Sequence, residues 1–472
     1  MKRLIKLILC TVLIISMTTI NVYGADNIKT DEKITKTQAK EDIEFMMETL
    51  ESVHPDLYFA VSKEDIDRLI NDELKDIDGL ITSIKFYKKF SPIINSFKDG
   101  HTGMRLPNDY ITKIKNNDEI LFINVHIKDG KIHIYDTFID QYEKYKGWEI
   151  QSINGKKASK IYDEMLGYVS GSKLGFKESS IENNFVLYYY LNNEPKDEYM
   201  INVKNGDKKE IIKIQGISLE EAQKLNDKEE KKQDYIYEKL NNNTGLITFN
   251  SFSNFEKFEE FLAETFEEIN KEKLDNLIID LRKNGGGNSR LGDLLIEYIY
   301  DGRYTQANSM DVKISDQIIE HYTNLMRETN EDKEEIEKLK SEYMKYKGEC
   351  YTYKGQPSRK FLDNPKFQGD VYFLIGRRTF SSAVMLASTV KDYNIGYLIG
   401  EETGGIASHY GDLYQFGLPN THLKIFVSHK YFTRPNGLDT GRGVLPDYDI
   451  NDLGKRDALE IALEIINNKH GK

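Results

Sequence analysis

The stretch Val371–Gly405, VYFLIGRRTFSSAVMLASTVKDYNIGYLIGEETGG, decides how this chain is read. Val371–Ile375 is a short apolar run closed by Gly376, the pattern of a strand buried on both faces. A polar turn, Arg377–Phe380, leads to Ser381 and Ser382, after which Ala383, Leu386, Ala387 and Val390 recur at helical spacing. Asn394–Gly396 ends that helix, and Tyr397–Ile399 reads as a second buried strand. A serine at the mouth of a strand–turn–helix unit lies beside the free N–H groups at the positive end of a helix. An oxyanion would be stabilised there. The same place is the ordinary one for a helix N-cap, and this stretch alone does not separate the two roles.

A second unit of the same shape lies upstream. Leu277–Leu281 reads as a buried strand, Arg282-Lys283-Asn284-Gly285-Gly286-Gly287-Asn288-Ser289 as its turn, and Leu291–Ile299 as the helix that follows. Gly245–Phe249 and the amphipathic Phe255–Ile269 precede it as strand and helix. Three glycines between a strand and a helix suggest backbone pressed against a neighbour, or dihedral angles that other residues avoid. A phosphate loop would need Lys-Ser/Thr after the glycines, and a dinucleotide loop a third glycine where Arg290 stands. Stacked in parallel, the two units bring both helix N-termini to one end of a sheet, where sites on such sheets usually lie. One contributes N–H groups and the other a hydroxyl.

The rest of the chain surrounds this pair. Lys36–Val53, Lys63–Leu74 and a segment from about Ile81 read as helices, with Pro92 expected to kink or end the third. His54-Pro55 marks a helix boundary, because a residue before proline leaves the helical region. His101, between glycines in Asp99-Gly100-His101-Thr102-Gly103, sits in a tight polar loop rather than on an apolar face, and loops carry function disproportionately. Leu121–Tyr135 reads as a hairpin turning at Asp129-Gly130, which pairs His126 with His133. Those two histidines share a face with lysines and lack a third ligand, so a solvated face is the better reading than a metal site. Ser218–Leu240 is a charged helix or connector, and Gly302–Pro365 an insertion with a solvated helix at Glu331–Tyr346. Leu413–Phe416 and Leu423–Val427 suggest a hairpin, and Arg456–Ile466 a final helix.

Lys2, Arg3 and Lys6, the apolar Leu4–Ile20 and the small-residue pattern before Ala25 read as a secretory signal peptide. Its removal takes the formal charge from -12 to -15, three basic residues fewer. With that charge and no basic stripe, nucleic acid and anionic lipid are poor partners. No later stretch is long and apolar enough to span a bilayer. Of Cys10 and Cys350 only the second survives cleavage, so no intrachain disulfide is available and stability must come from core burial. The high Lys, Asn, Ile and Tyr content looks like that of an AT-rich bacterial genome.

Together, Asp99–Gly103 (DGHTG), LIIDLRKNGGGNS, FLIGRRTFSSA, GEETGG and GRGVLPD resemble, in order, the C-terminal processing (tail-specific) protease family. Gly147–Ala158, GWEIQSINGKKA, is similar to the core of a PDZ domain. The serine–lysine branch of the family places a lysine near Ile406, and none occurs between Lys391 and Lys424. The tricorn-like branch, which includes relatives of interphotoreceptor retinoid-binding protein, draws a histidine from an N-terminal His-Thr motif, and His101 matches it.

The resemblance implies a multidomain α/β chain. Its parts would be a signal peptide at 1–24, an N-terminal helical domain at 25–107, a degenerate PDZ-like module at 108–216 and a charged connector at 217–240. A crotonase/Clp-protease-like core of stacked strand–turn–helix units would follow at 241–472, with the insertion at 302–365. It implies an exported serine endopeptidase at the outside of a bacterial cell, acting on protein or peptide substrates without metal or organic cofactor. Ser381 would be the nucleophile and His101 the base, with Gly285, Gly286 and Ser382 as oxyanion donors. For the acid that orients the imidazole it offers Asp439, with Glu401 or Glu402 as alternatives. Two other readings stay open: a non-catalytic ligand-binding protein on the same fold, and a small-substrate esterase or amidase, although no G-x-S-x-G elbow occurs.

Overall fold

In a computed structural model of the protein, residues 31–117, 119–136, 140–226, 233–328, 333–357, 366–451 and 456–470 are described. The expected signal peptide, residues 227–232 of the connector and residues 329–332 (with the start of the helix expected at Glu331–Tyr346) and 358–365 of the insertion lie outside them. Among the described residues no helix is long and apolar enough to cross a membrane.

The core is a six-stranded sheet in the order Tyr235–Lys239, Thr244–Phe249, Asn276–Asp280, Asp370–Ile375, Tyr397–Gly400, Tyr448–Asp449. The first pair is antiparallel and every other pair parallel. Because side chains alternate across a strand, Ile247, Ile279, Phe373 and Leu398 enter one core and Leu246, Ile278, Leu374 and Ile399 the other. Helices Phe255–Glu272, Arg290–Ile299 and Ser382–Asp392 cover the first face and Ala458–His470 the second. Burial on both faces explains why these strands read as unbroken apolar runs. Each fully buried Ile, Leu or Phe contributes about 1.5–3 kcal/mol.

The edge strand Tyr235–Lys239 falls within the segment expected to be a charged helix. Among the described residues the helix there spans Leu219–Asn226. Tyr235 and Tyr237 pack against the core while Glu238 and Lys239 stay exposed, and the surrounding charges obscure this short strand in the sequence.

A second sheet runs Cys350–Lys354, Ser309–Lys313, Lys424–Thr433, His409–Gly417. Its first two strands come from the insertion, which therefore carries a hairpin as well as the helices Asp316–Glu328 and Lys333–Tyr343. Gly103–Met104, directly after the His101 loop, adds to the same sheet: Gly103 pairs with Phe426 and Met104 with Ile425. The buried carboxylate of Asp42, in helix Lys36–Val53, accepts from the Asn420 and Thr421 N–H groups at 2.8 Å each. These contacts dock the N-terminal helices on the core and bring their closing loop to it. Helix Ser83–Asn95 continues past Pro92, since buried Ile93 and Ile94 reward the extra turn beyond the one lost N–H.

Residues 119–226 include a separate antiparallel sheet, Asn124–Lys128, Lys131–Asp136, Glu149–Ile153, Glu198–Asn205, Lys208–Gln215. Its hairpin pairs His126 with His133. Both are on an exposed side: His126 faces Glu182 and Arg377, and His133 meets the Gly147 carbonyl.

Strand Lys424–Thr433 also buries a charge. Lys430, 2% exposed, is paired with Asp412 beneath the Tyr322 ring. Removing one partner of such a pair strands the other without compensation. Lys430→Met is therefore expected to lower the unfolding free energy by about 3 kcal/mol, read from denaturant midpoints.

Candidate active site

Ser381 and His101, 280 positions apart, meet at the end of the central sheet: His101 Nε2 lies 3.0 Å from Ser381 Oγ. Ser381 precedes helix Ser382–Asp392 but makes no side-chain cap bond, and its backbone has φ 54° and ψ -125°. A serine held in that uncommon region turns its hydroxyl out of the strand–helix corner, and such strain persists only where the surroundings enforce it.

The enforcement comes from the turns on either side. Asn284, wholly buried, donates from Nδ2 to the Phe249 carbonyl and accepts the Gly286 N–H on Oδ1, each at 2.8 Å. Its carbonyl accepts the Phe380 N–H at 3.0 Å. Thr379 Oγ1 donates to the Leu281 carbonyl, and Ser382 Oγ to the Gly287 carbonyl at 2.5 Å. The glycine loop and the nucleophile turn are thus stapled together. At Gly286, with φ +95°, a Cβ would come within 2.7 Å of Ser381 Cβ and 2.8 Å of Ser382 N. Only glycine allows that approach.

The three expected oxyanion donors are not equivalent. The Gly286 N–H is engaged by Asn284, whereas the Gly285 N–H has no acceptor among the described residues. Ser382 opens its helix, so its N–H belongs to the first turn that helix geometry leaves unbonded.

His101 is buried and stacks on Phe380, with ring centroids 4.7 Å apart. A Cβ at Gly100 would sit 2.7 Å from the Phe380 ring, so the loop needs its glycine to lay the imidazole there. The Tyr410 backbone beside the ring favours the protonated imidazole, as a carbonyl facing a ring N–H does. With Nε2 turned to Ser381, that leaves Nδ1 as the donor and a lone pair on Nε2 facing the serine hydroxyl. Burial pushes the His101 pKa below its ordinary value, against the opposing pull of Asp99, Asp412 and the Tyr410 carbonyl. His409, stacked 5.9 Å from His101, is pushed to about 4 by burial and by that neighbour, and is neutral at neutral pH.

The expected acids lie elsewhere than beside the imidazole. Asp439 lines the cleft, but its carboxylate accepts from the Tyr431 hydroxyl and from the Gly441 N–H. Glu402 is bound by Lys173, Arg442 and the Gly443 N–H; burial opposes its ionisation, yet these partners outweigh it and hold its pKa at about 2. Glu401 leaves its strand with its N–H on the Ile375 carbonyl and does not line the cleft.

The carboxylate nearest His101 Nδ1 is Asp99, at 4.0 Å. Asp99 is buried, and it accepts the His101 N–H at 3.0 Å and the hydroxyls of Thr102 and Ser428 at 2.6 Å each. Burial alone would raise its pKa, but His54, His101 and Ser428 hold the carboxyl well below the usual carboxylate range. Sequence reasoning assigned no role to Asp99, Tyr410, Ser428 or His409. Asp99 alone had a visible signal, in its place two residues before the loop histidine.

A cleft of about 290 Å³ opens above the pair. Phe59, Phe176, Phe380, Tyr410 and Tyr431 form much of its wall, with the Gly404-Gly405 backbone at one side. A carbonyl placed over Ser381 Oγ would be approached by a nucleophile with its base at hydrogen-bond distance and by two backbone donors. The chemistry such a site can perform is acyl transfer.

Residues 243–450 match a family model described as Peptidase family S41. The crystal structure of mature CPAF is similar, at 14% identity and a TM-score of 0.61, with 88% of this chain and 93% of that chain covered. Mature CPAF complexed with lactacystin is similar at 14% identity and a TM-score of 0.62, covering 88% and 94%. At such identity these likenesses are of fold. No curated protein sequence matches the chain.

Proposed function

The chain carries a peptidase family S41 domain, of the tail-specific protease family, and is a serine-type peptidase; from that premise we propose that it is an exported endopeptidase working through Ser381 and His101. The observation that carries this is the 3.0 Å contact between His101 Nε2 and Ser381 Oγ. Ser381 Oγ attacks the carbonyl carbon of a peptide bond as its proton passes to His101 Nε2. The tetrahedral oxyanion is held by the N–H groups of Gly285 and Ser382. Gly286 supports that hole by its close approach, its own N–H being held by Asn284. Collapse expels the amine, which takes the proton from His101. Water, deprotonated by the same imidazole, then hydrolyses the acyl-serine.

The Tyr410 carbonyl fixes the tautomer, and Asp99 supplies the negative charge that favours the imidazolium formed in each transition state. Asp439, at the cleft wall, is a substrate-side group in this reading. Export is supported by the basic start and apolar run of residues 2–20.

The test is intact-mass analysis after exposure to a fluorophosphonate probe, with the adduct mapped. A single adduct on Ser381, lost in His101→Ala, is expected. A folded protein that takes no adduct would end the reading.

The pH profile follows from the base. His101 must be neutral to accept the proton, and burial places its pKa below the ordinary 6.5. The neutral fraction therefore grows as pH rises through a midpoint below 6.5. Peptide kcat/KM is expected to climb along that acid limb and to be level at neutral pH. A limb centred above pH 7 would contradict the assignment of His101.

A further inference from the structure

Helix Lys36–Val53, the first among the described residues, is capped at its C-terminus by His54, a residue no sequence pattern marks for chemistry, yet its side chain is fully buried. His54 Nδ1 accepts the Asp56 N–H at 3.1 Å. An imidazole nitrogen that accepts carries no proton, so the proton is on Nε2. The one carboxylate oxygen within ion-pair distance of Nε2 among the described residues is Asp99 Oδ2, at 3.4 Å. That contact is long for a hydrogen bond, and the buried atom has no hydrogen-bond partner among the described residues. A histidine that only ended a helix before proline would not need its ring inside the protein, where an unsatisfied polar atom costs free energy.

The surroundings of the ring give it a second link to the same place. It packs against Tyr410, with centroids 4.5 Å apart, and against Phe59 at 6.3 Å. Tyr410 is the residue whose carbonyl receives the His101 imidazole. His54 therefore touches both groups that hold His101: the Asp99 carboxylate through Nε2, and the Tyr410 side chain through its face.

We propose that His54 is a positioning residue for catalysis, its Nε2–H aiming the Asp99 carboxylate and its ring seating Tyr410, so that His101 keeps its tautomer and its distance from Ser381. The proposal rests on the assignment of Ser381 and His101 above. Asp99 already accepts from Thr102, Ser428 and the His101 N–H. His54 adds a donor facing Oδ2 while His101 Nδ1 lies 4.0 Å from Oδ1, so the ionised carboxylate is shared between two imidazoles. A displacement of the base by an ångström can cost about a hundredfold in rate.

The experiment compares the second-order rate of fluorophosphonate labelling at Ser381 in wild type, His54→Phe, His54→Gln, Asp99→Asn and the double variant His54→Phe/Asp99→Asn. Phenylalanine keeps the aromatic packing on Tyr410 and removes the donor. Glutamine places an amide N–H near the position of Nε2.

The expected result is a loss of about a hundredfold in His54→Phe, most of it recovered in His54→Gln, and no further loss when His54→Phe is added to Asp99→Asn. Should the phenyl ring prevent folding, His54→Asn, whose amide reproduces only the Nδ1 side, makes the same comparison with glutamine. Wild-type labelling rates in folded His54→Phe, equal losses in the glutamine and phenylalanine variants, or additive losses with Asp99→Asn would each overturn the proposal and leave the Ser381 assignment intact. A wild type that takes no label would overturn both.

Discussion

Ser381→Ala is expected to lower kcat/KM on a peptide substrate by about 10⁴-fold or more while changing the unfolding free energy by less than about 1 kcal/mol. The two halves of that result separate the readings that the sequence left side by side. A serine that capped helix Ser382–Asp392 would lose a bond to the first helical turn when truncated, at about 1 kcal/mol or more. Ser381 makes no such bond, and its hydroxyl is spent on His101. Alanine meets the same backbone strain at φ 54° that serine does, so the folded state loses little and the chemistry loses its nucleophile. Activity assayed beside a denaturation curve reads both. A stability loss with activity retained would return Ser381 to a structural role.

Gly286→Ala is expected to be nearly as damaging by a different route. Its Cβ would meet three atoms inside 3.0 Å: Ser381 Cβ, Ser382 N and the Phe380 carbonyl oxygen. None is the flexible end of a side chain, and the positive φ disfavours alanine even before contact. The turn must shift, carrying the nucleophile with it. A loss of at least about a hundredfold in kcat/KM is expected, with about 1–3 kcal/mol of stability. At Gly285 an added Cβ meets nothing within 4 Å, so the unfolding midpoint of Gly285→Ala should remain close to wild type. Equal destabilisation at the two positions would show that the glycine loop is not pressed on the nucleophile.

Local pattern made much of this architecture legible. Val371–Ile375 and Tyr397–Ile399 read as buried strands because helices cover both faces of their sheet, and the strands are Asp370–Ile375 and Tyr397–Gly400. The Asp129-Gly130 turn set a hairpin register that pairs Ile127 with Ile132 and His126 with His133. What escaped depends on contacts between distant segments. The pairing of Gly103 with Phe426 leaves no mark in either stretch. Ser309–Lys313 and Cys350–Lys354 are strands because a neighbouring strand presents an edge to them, a condition absent from their own composition.

The site divides in the same way. Ser381, His101 and the three glycines stand in recognisable loops. The surroundings of the imidazole come from a backbone carbonyl at Tyr410, a hydroxyl at Ser428 and an aspartate inside the histidine's own turn. A carbonyl is the same in every residue, so no residue type could have announced Tyr410. His54 was legible only as the end of a helix.

The short strand at Gly103–Met104 has a consequence for when the protein can cut. Nucleophile and base belong to segments joined only after a closure spanning most of the chain, and closures of that length come late in folding. If Ser381 and His101 act as proposed, a chain still emerging from a ribosome would carry Ser381 as an ordinary alcohol, with no base to activate it. On that assignment the hydrolytic machinery and the finished fold would arrive together, and loss of the Gly103–Phe426 pairing would part His101 from Ser381. Half-made copies would then have no means of attacking their finished neighbours.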